Sequence, residues 1–353
     1  MNYHYEFGGP VGTMLMFAGL PTFLYSLYFL CEGPQCLELN ASSLSSSVYS
    51  AWAKLSWSLF FSWSALAVTF VWFLWFVLLW NWLPGRLVLG AKLPNGSKLP
   101  YRLNGFASLI STLLALAFLQ GSGWFDIAVI YDHFPQYITS TLILALLVAV
   151  YVYLKAVATK GEIQDVDIVA HKSPSSFYNF FIGQLLNPRD GEFDWKEFCE
   201  LRPGLIGWLV VNLAMATKAY HLHGQVSTAL LATLFMEGFY VCDALYHEQA
   251  ILTTMDIVYD GFGFMLSFGD LCWVPCFYSI GARYLVTHPR SLSLHELLLI
   301  LAVNAIGFII FRTTNSQKDR FRTDPTHPSV RDYPFIETKV CLVWQCLPSL
   351  ADL

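Results

Sequence analysis

An all-α, polytopic transmembrane helical bundle is the fold class this sequence predicts, and three observations predict it. Hydrophobic residues make up 56% of the 353 residues and charged residues only 13%, with 28 Phe, 18 Tyr and 12 Trp. That leaves too little polar surface to cover a soluble globule of this size. Eight apolar runs reach spanning length, for which about 17 to 25 residues are needed. None of them alternates apolar and polar residues as a barrel strand does, so each must satisfy its own backbone hydrogen bonds as a helix.

The runs lie at 12–31, 57–83, 104–120, 135–154, 205–222, 226–246, 262–286 and 296–312. The loop after the second carries Arg86, Lys92, Lys98 and Arg102 without an acid, whereas the loop after the third carries Asp126 and Asp132 without a base. Short cytosolic loops collect Lys and Arg, so the first loop is expected in the cytosol and the second in the lumen. By parity the amino terminus and the segment with Lys318, Arg320 and Arg322 are also cytosolic. Glu6 precedes the first run and no small-residue site closes it, so no cleaved signal is expected. The hydrophilic stretch 155–203 is expected as a cytosolic cap on one membrane domain, with an aromatic run from Phe177 to Ile182 at its centre.

Between Tyr240 and Asp270 stand Asp243, Glu248, Asp256, Asp260 and Asp270 in otherwise apolar sequence. An ionised side chain at bilayer depth costs roughly 2.5–3.5 kcal/mol on insertion scales, so such residues usually face a protein interior and mark a functional path. Tyr240 and Asp243 are three apart and Asp256 and Asp260 four apart, so each pair can share a helix face, with Asp270 near the face of Asp260. Desolvation and mutual repulsion hold protons on some such groups, as an acid catalyst requires, while ionised neighbours stabilise a cation. The alternatives are ion pairs with Lys218, Arg283 or His247, or a turn at 247–261 that keeps some acids in water.

Lys318 and Arg322 are four apart just past the last run, with Asn315 beside them. On a continued helix they share a face and can hold a phosphate or pyrophosphate; positive-inside anchoring explains them equally. The glycines of GFGFMLSFG (Gly261, Gly263, Gly269) do not make the dinucleotide signature GxGxxG after a strand, and read as close-packing positions. No P-loop, HExxH or serine elbow is present. A net charge of −5 argues against nucleic acid. The eight cysteines lack CxxC spacing, and His221 and His223 stand apart from acids, so no metal is expected; a Cys31–Cys36 disulfide is one reading of that close pair.

Five ordered stretches carry a resemblance: FYNFFIGQLLNPR at 177–189, LRPGLIGW at 201–208, DALYHEQAILTTMDI at 243–257, DGFGFMLSFGDLCWVP at 260–275 and NSQKDRFR at 315–322. Together they resemble the sterol reductase family, over about Tyr5 to Arg322. YEFGGPVGT and LPNGSKLPYRLNGF look most like the fungal C-24(28) branch. The resemblance implies an NADPH-dependent enzyme of the endoplasmic reticulum membrane that reduces the sterol side-chain 24(28) double bond in ergosterol biosynthesis, with C-14 reduction as the alternative. A sterol, membrane lipid and other sterol-pathway enzymes are the implied partners. It further implies that Asn315, Lys318 and Arg322 contact NADPH and that Tyr240 donates the proton, supported by Asp243, Glu248, Asp256, Asp260 and Asp270. Asn179 replaces the family's usual aspartate, which removes a charge from the first signature.

On this reading residues 1–322 are the sterol reductase domain and 323–353 a divergent tail with faint likeness at Thr338, Lys339 and Trp344. Members of the family continue with a tryptophan-rich helix, an Arg-His and an Asn-Tyr-x-Gly-Asp cofactor motif, and further spans. The expectation is therefore that half of the cofactor pocket is missing, through a short gene model, a splice variant, or an inactive sterol-binding relative.

Overall fold

The computed structural model describes residues 5–30, 56–92, 96–158 and 173–331. Seven helices are long and apolar enough to cross a membrane: α1 Gly9–Leu30, α2 within Trp57–Trp82, α4 Phe134–Ala158, α6 Trp195–His223, α7 Thr228–Tyr246, α8 Phe264–Thr287 and α9 Leu294–Thr323. An eighth apolar helix, α3 (Gly105–Gly121), is shorter. All eight runs read from the sequence are therefore helices, and the protein is a multi-pass helical membrane protein. Cys31, Cys36, Cys341, Cys346 and the tail positions Thr338, Lys339 and Trp344 lie outside the described residues. Among those described, Cys199, Cys242, Cys272 and Cys276 are free thiols, and no group of acids, His and Cys is placed to hold a metal.

The principal core runs through α2, α4, α6 and α8, with Phe76, Ile138, Ala145, Phe198, Met215 and Cys272 fully or almost fully buried. Spans in lipid gain nothing from hiding Leu from lipid, so close packing and internal polar contacts hold them together. Small residues and hydroxyls do this here. Trp75 Nε1 donates to Thr112 Oγ1 at 3.0 Å between α2 and α3. Ser267 Oγ donates to the Ala145 carbonyl at 3.2 Å between α8 and α4.

Two departures from regular α-helix matter most. In α6, Glu200–Ile206 winds as a π-helical turn around Pro203, and in α8 Gly269–Trp273 does the same just before Pro275. A proline ring clashes with the preceding turn and removes a hydrogen bond, and the wider π turn absorbs both. The two turns pack together so tightly that a Cβ on Gly204 would lie 2.9 Å from the Asp270 carbonyl oxygen. The helix α6 therefore begins at Trp195, capped by Asp194, which accepts from the Lys196 and Glu197 N–H groups at 3.0 Å. The expected cap of 155–203 is corrected accordingly: its last nine residues are the first turns of a span. Asp, a good N-cap, sets that start.

The polar connections gather at two ends. At the basic end a hairpin, β1 (Arg86–Lys92) with β2 (Lys98–Leu103), pairs Arg86 opposite Leu103 and Val88 opposite Tyr101, with a bulge before Lys92. Leu99 and Tyr101 of this hairpin make a satellite core with Leu186, Leu252 and Ile257. The ribbon β3 (Arg189–Asp190) and β4 (Phe193–Asp194) stands beside it. Arg102 meets Glu192 at 3.1 Å, Lys155 meets Asp190 at 2.6 Å, and Arg86 meets Gln249 at 2.5 Å. Alternate loops thus share one end, as parity required. At the opposite end Lys218 pairs with Asp132 at 2.6 Å and His221 with Asp126 at 3.6 Å. Arg283 donates to the Tyr131 carbonyl at 3.0 Å, so neither Lys218 nor Arg283 serves the acids of 243–270.

The aromatic run forms helix α5 (Ser176–Ile182), ended by Gly183 rather than by Pro188. Gly183 has φ +98°, and its backbone crosses that of Gly261–Gly263 so closely that an added Cβ would stand 2.4 Å from the Phe262 carbonyl carbon. Gly261 and Gly263 are close-packing positions as expected, but between two loops rather than two helices. Asn179 accepts from the Ser173 N–H and donates to the Ser173 carbonyl, both at 2.8 Å. An aspartate could make only the first of these bonds.

Candidate functional site

The π turns re-aim the side chains of α6 and α8, and they point Glu200 and Asp270 at one electrostatic neighbourhood. Asp270 feels the charges of Glu200, Asp256 and Lys196, and Glu200 feels Asp256 and Lys196. Lys196 is 1% exposed and gives its ammonium to the carbonyls of Asp256, Ile257 (3.2 Å) and Asp260 (2.7 Å). One buried ammonium, with its donors spent on carbonyls, faces four carboxyl groups. The neighbourhood is therefore rich in carboxyl groups.

Tyr240 approaches this group from α7. The charges acting on its phenol are those of Glu200, Tyr278 and Arg312. Its ring stands 5.9 Å from Trp208 of α6 and 5.7 Å from Phe311 of α9. Three residues earlier, Glu237 accepts from Asn212 Nδ2, and the Trp208 indole faces the same carboxyl. Asn212 is fully buried. Residues of α6, α7 and α9 thus bring a phenol, an indole and two carboxyls near one another.

The acids read from the sequence fall into three groups rather than one face. Asp270 joins Tyr240 through Glu200, and Asp256 and Asp260 lie around Lys196. Asp256 and Asp260 do not share a helix: Met255–Val258 is a single turn that Asp260 follows, and Asp256 is exposed to solvent, as the turn alternative foresaw. Burial pushes the Asp260 carboxyl up to about 6, aided by Asp256 and opposed by Lys196. Asp243 does share α7 with Tyr240, but its carboxylate is taken by Arg312 and by His247 Nδ1 at 3.1 Å.

Glu248 stands apart from them all. Its Oε1 accepts from Arg202 NH2 at 3.1 Å and its Oε2 from the Gly105 N–H at 2.9 Å. Arg202 is fully buried and also bonds Glu197 Oε1 at 2.8 Å and Asn104 Oδ1 at 2.8 Å. This network ties β2, α3, α6 and the 248 turn together, which is a structural task.

Asn315, Lys318 and Arg322 all ride on α9, whose 30 residues continue the last span outward without a break. The shared face expected of Lys318 and Arg322 is present. Arg322 NH1 donates to the Thr253 carbonyl and Asp319 Oδ1 accepts from Thr253 Oγ1 at 3.1 Å, which ties the helix end to the 253 turn. Asn315 bonds the Phe311 carbonyl of its own helix at 2.9 Å, and Lys318 is exposed. A groove on α9 is lined by Phe308, Ile309, Arg312, Thr313, Ser316, Gln317 and Arg320.

Sequence reasoning missed Glu200, Glu237, Lys196 and Arg312. Glu237 was legible as an acid inside an apolar run three residues before Tyr240. Glu200 and Lys196 were counted with the cap, because the start of α6 was placed too late.

The fold defines a multi-pass helical membrane protein, and Tyr240, Trp208, Glu237 and Glu200 stand near one another on α6 and α7. The chain belongs to the ergosterol biosynthesis ERG4/ERG24 family of sterol reductases, which its sequence matches over residues 1–343. The Delta(14)-sterol reductase of Neurospora crassa is 39% identical over 355 residues, covering 95% of this chain and 72% of that protein. The Delta(14)-sterol reductase LBR of Gallus gallus is 39% identical over 338 residues, covering 94% of this chain and 50% of that protein. The Delta(14)-sterol reductase TM7SF2 of Mus musculus is 38% identical over 334 residues, covering 94% and 77%. These relatives correct the C-24(28) reading. Fungal, animal and bacterial relatives alike carry the C-14 name.

Proposed function

We propose that this chain reduces the C-14 double bond of a sterol with NADPH, from the membrane of the endoplasmic reticulum. The observation that carries the substrate is the shared Delta(14)-sterol reductase name of relatives that cover most of the chain.

The chemistry agrees with the side chains. An isolated alkene resists hydride attack until it is protonated. Protonation at C-15 leaves a tertiary cation at C-14, which needs an acid on one side and negative charge nearby. Tyr240 is the proposed acid, since its ring lies against Trp208 of α6 and Phe311 of α9 and Glu200 acts on its phenol. Glu200 and Asp270 are the carboxyls proposed to act beside it, since Glu200 acts on its phenol and on Asp270. Asp243 holds Arg312 in place. Asp256 and Asp260 bind Lys196 through their backbone carbonyls.

The groove on α9 carries Arg312 and Arg320, of which Arg312 is paired with Asp243, and Asn315, Lys318 and Arg322 lie outside its lining. Asn315, Lys318 and Arg322 would hold NADPH at this helix end, which positive-inside parity puts in the cytosol. NADPH, when bound, supplies the hydride that quenches the cation at C-14.

The test is conversion of a Δ14 sterol by membranes that contain this chain and no other C-14 reductase, with NADPH added and products separated by gas chromatography and mass spectrometry. The saturated C-14 product is expected. Unchanged substrate, with the chain shown by immunoblot to be present, rejects the proposal.

A further inference from the structure

A polar cleft of about 220 Å³ opens at the basic end of the bundle, where the hairpin meets the start of α3 and the end of α7. Pro84, Arg86, Phe106, Tyr246 and Gln249 line it, and the buried Asn104 and Glu248 belong to the same lining. Their acceptors are engaged within the protein. Asn104 Oδ1 accepts from Arg202 at 2.8 Å, Glu248 Oε1 from Arg202 at 3.1 Å, Glu248 Oε2 from the Gly105 N–H at 2.9 Å, and Gln249 Oε1 from Arg86 at 2.5 Å. The donors are not. Arg86 is exposed and, among the described residues, meets that one neutral amide and no carboxylate, while Gln249 Nε2 has no partner. A lining with donors left over and its carboxylate turned inward suits an anion, and a planar guanidinium can give two parallel bonds to a phosphate.

The surroundings of the cleft are apolar and face outward. Trp82, Leu87 and Tyr246 are exposed, and the Tyr246 ring meets that of Phe106 edge-on at 5.7 Å. Trp and Tyr collect at the headgroup level of a membrane, and basic pockets between spans on the cytosolic side take anionic headgroups. An exposed stripe of Phe106, Ile110, Leu114 and Phe118 runs from the cleft along α3. These residues are four apart and so share one face, and at 1.5 Å per residue the stripe is about 18 Å long. A soluble phosphate has no use for such a track. An acyl chain attached to the phosphate does.

We propose that the cleft at Arg86 binds the phosphate of an anionic glycerophospholipid, with an acyl chain laid along the exposed face of α3. The bound lipid ties the hairpin to α3 and α7. The proposal is independent of which sterol bond the chain reduces.

Two measurements test it. In the first, thermal unfolding of the purified full chain in detergent is followed while dioleoylphosphatidylglycerol, dioleoylphosphatidylcholine or inorganic phosphate is added. A saturable rise in midpoint with phosphatidylglycerol is expected, with a smaller rise or none with phosphatidylcholine and none with phosphate. Arg86→Gln should raise the phosphatidylglycerol concentration at half-saturation about tenfold or more, the scale of a charge-assisted hydrogen bond. Lys98→Gln, on the same hairpin but outside the cleft lining, should move it much less. A half-saturation that Arg86→Gln moves no more than Lys98→Gln does reduces the attraction to general surface charge and overturns the site. An equal rise with phosphatidylcholine, or a rise with phosphate alone, overturns the anionic lipid as occupant. Arg86→Gln also removes the bond to Gln249, so the second measurement uses the wild-type chain. Phosphatidylglycerol with a diazirine in its headgroup is photolysed with it and the labelled peptides are mapped. Label within 84–87, 103–107 or 245–249 is expected, and label confined to other segments overturns the proposal.

Discussion

Replacing Arg202 with methionine is the sharpest test of how this protein divides its buried charges between structure and chemistry. The guanidinium is fully buried and bonds two carboxylates, Glu197 at 2.8 Å and Glu248 at 3.1 Å, together with Asn104 at 2.8 Å and the Arg102 carbonyl at 3.2 Å. Methionine fills much of the space and supplies none of these donors. Two carboxyls then lie buried without their cation, and breaking a buried pair in this way costs about 3–5 kcal/mol. At about 2 °C per kcal/mol for a large domain, the thermal midpoint should fall by roughly 6–10 °C. The assay is thermal unfolding of the purified chain in detergent, followed by tryptophan fluorescence. Neutralising the stranded acids, in Arg202→Met with Glu197→Gln and Glu248→Gln, should restore part of the loss, because an uncharged set leaves no buried charge unpaired. Burial raises the Glu248 carboxyl above its ordinary value against the pull of Arg202. Glu248→Gln alone should therefore cost less than Arg202→Met and leave turnover per folded molecule as in the wild type. An Arg202→Met midpoint equal to that of the wild type, or a Glu248→Gln enzyme that is stable but inactive, would refute the structural assignment.

Four further outcomes follow from the same geometry. Tyr240→Phe should lower kcat by about 10²–10⁴-fold, the usual worth of a positioned acid, with sterol binding retained by equilibrium titration; undiminished kcat removes Tyr240 from the chemistry. Lys318→Ala should raise the KM for NADPH about tenfold or more, since a charge-assisted hydrogen bond contributes about 1.5–3 kcal/mol, and an unchanged KM removes it from the cofactor site. Because burial lifts Asp260 from its ordinary 3.8 to about 6, the folded chain holds that proton more tightly than the unfolded chain. Its contribution is favourable at low pH and is lost as pH rises from about 4 to about 6. The difference in unfolding midpoint between Asp260→Asn and the wild type should therefore grow in favour of the variant over that window, and a flat difference contradicts the burial of this carboxyl. Gly183→Ala should abolish the folded chain or strongly reduce its yield, because the position combines φ +98° with a Cβ 2.4 Å from the Phe262 carbonyl carbon; normal yield and midpoint would show that the 183–262 crossing is misplaced.

Much of this molecule was legible before any coordinates. Eight apolar runs gave eight helices because a chain in lipid has no other way to satisfy its backbone, so composition and length suffice. The gathering of basic loops at one end followed from parity. Tyr240 and Asp243 share α7 as their spacing required, and Asn315, Lys318 and Arg322 ride on one continuous helix. The five ordered motifs were enough for the family, though not for its branch, since the relatives carry the C-14 name.

Only the tertiary structure decided which charges stand together. Helical periodicity pairs residues three and four apart on one regular helix, and the acids from 243 to 270 lie on no such helix. A turn, a loop and a π-wound segment separate Asp256, Asp260 and Asp270. The partners that fix their roles come from far away in sequence: Arg312 for Asp243, Arg202 for Glu248, and Lys196 and Glu200 for the rest. The two π turns are likewise invisible to an apolar pattern, which records that Pro203 and Pro275 occur but not that the helices continue past them. Sequence determined that carboxyls are buried in this membrane protein, because their burial follows from the chain around them. Packing of α6 against α8 decided which of them face Tyr240, because that contact depends on backbone geometry that no local spacing encodes.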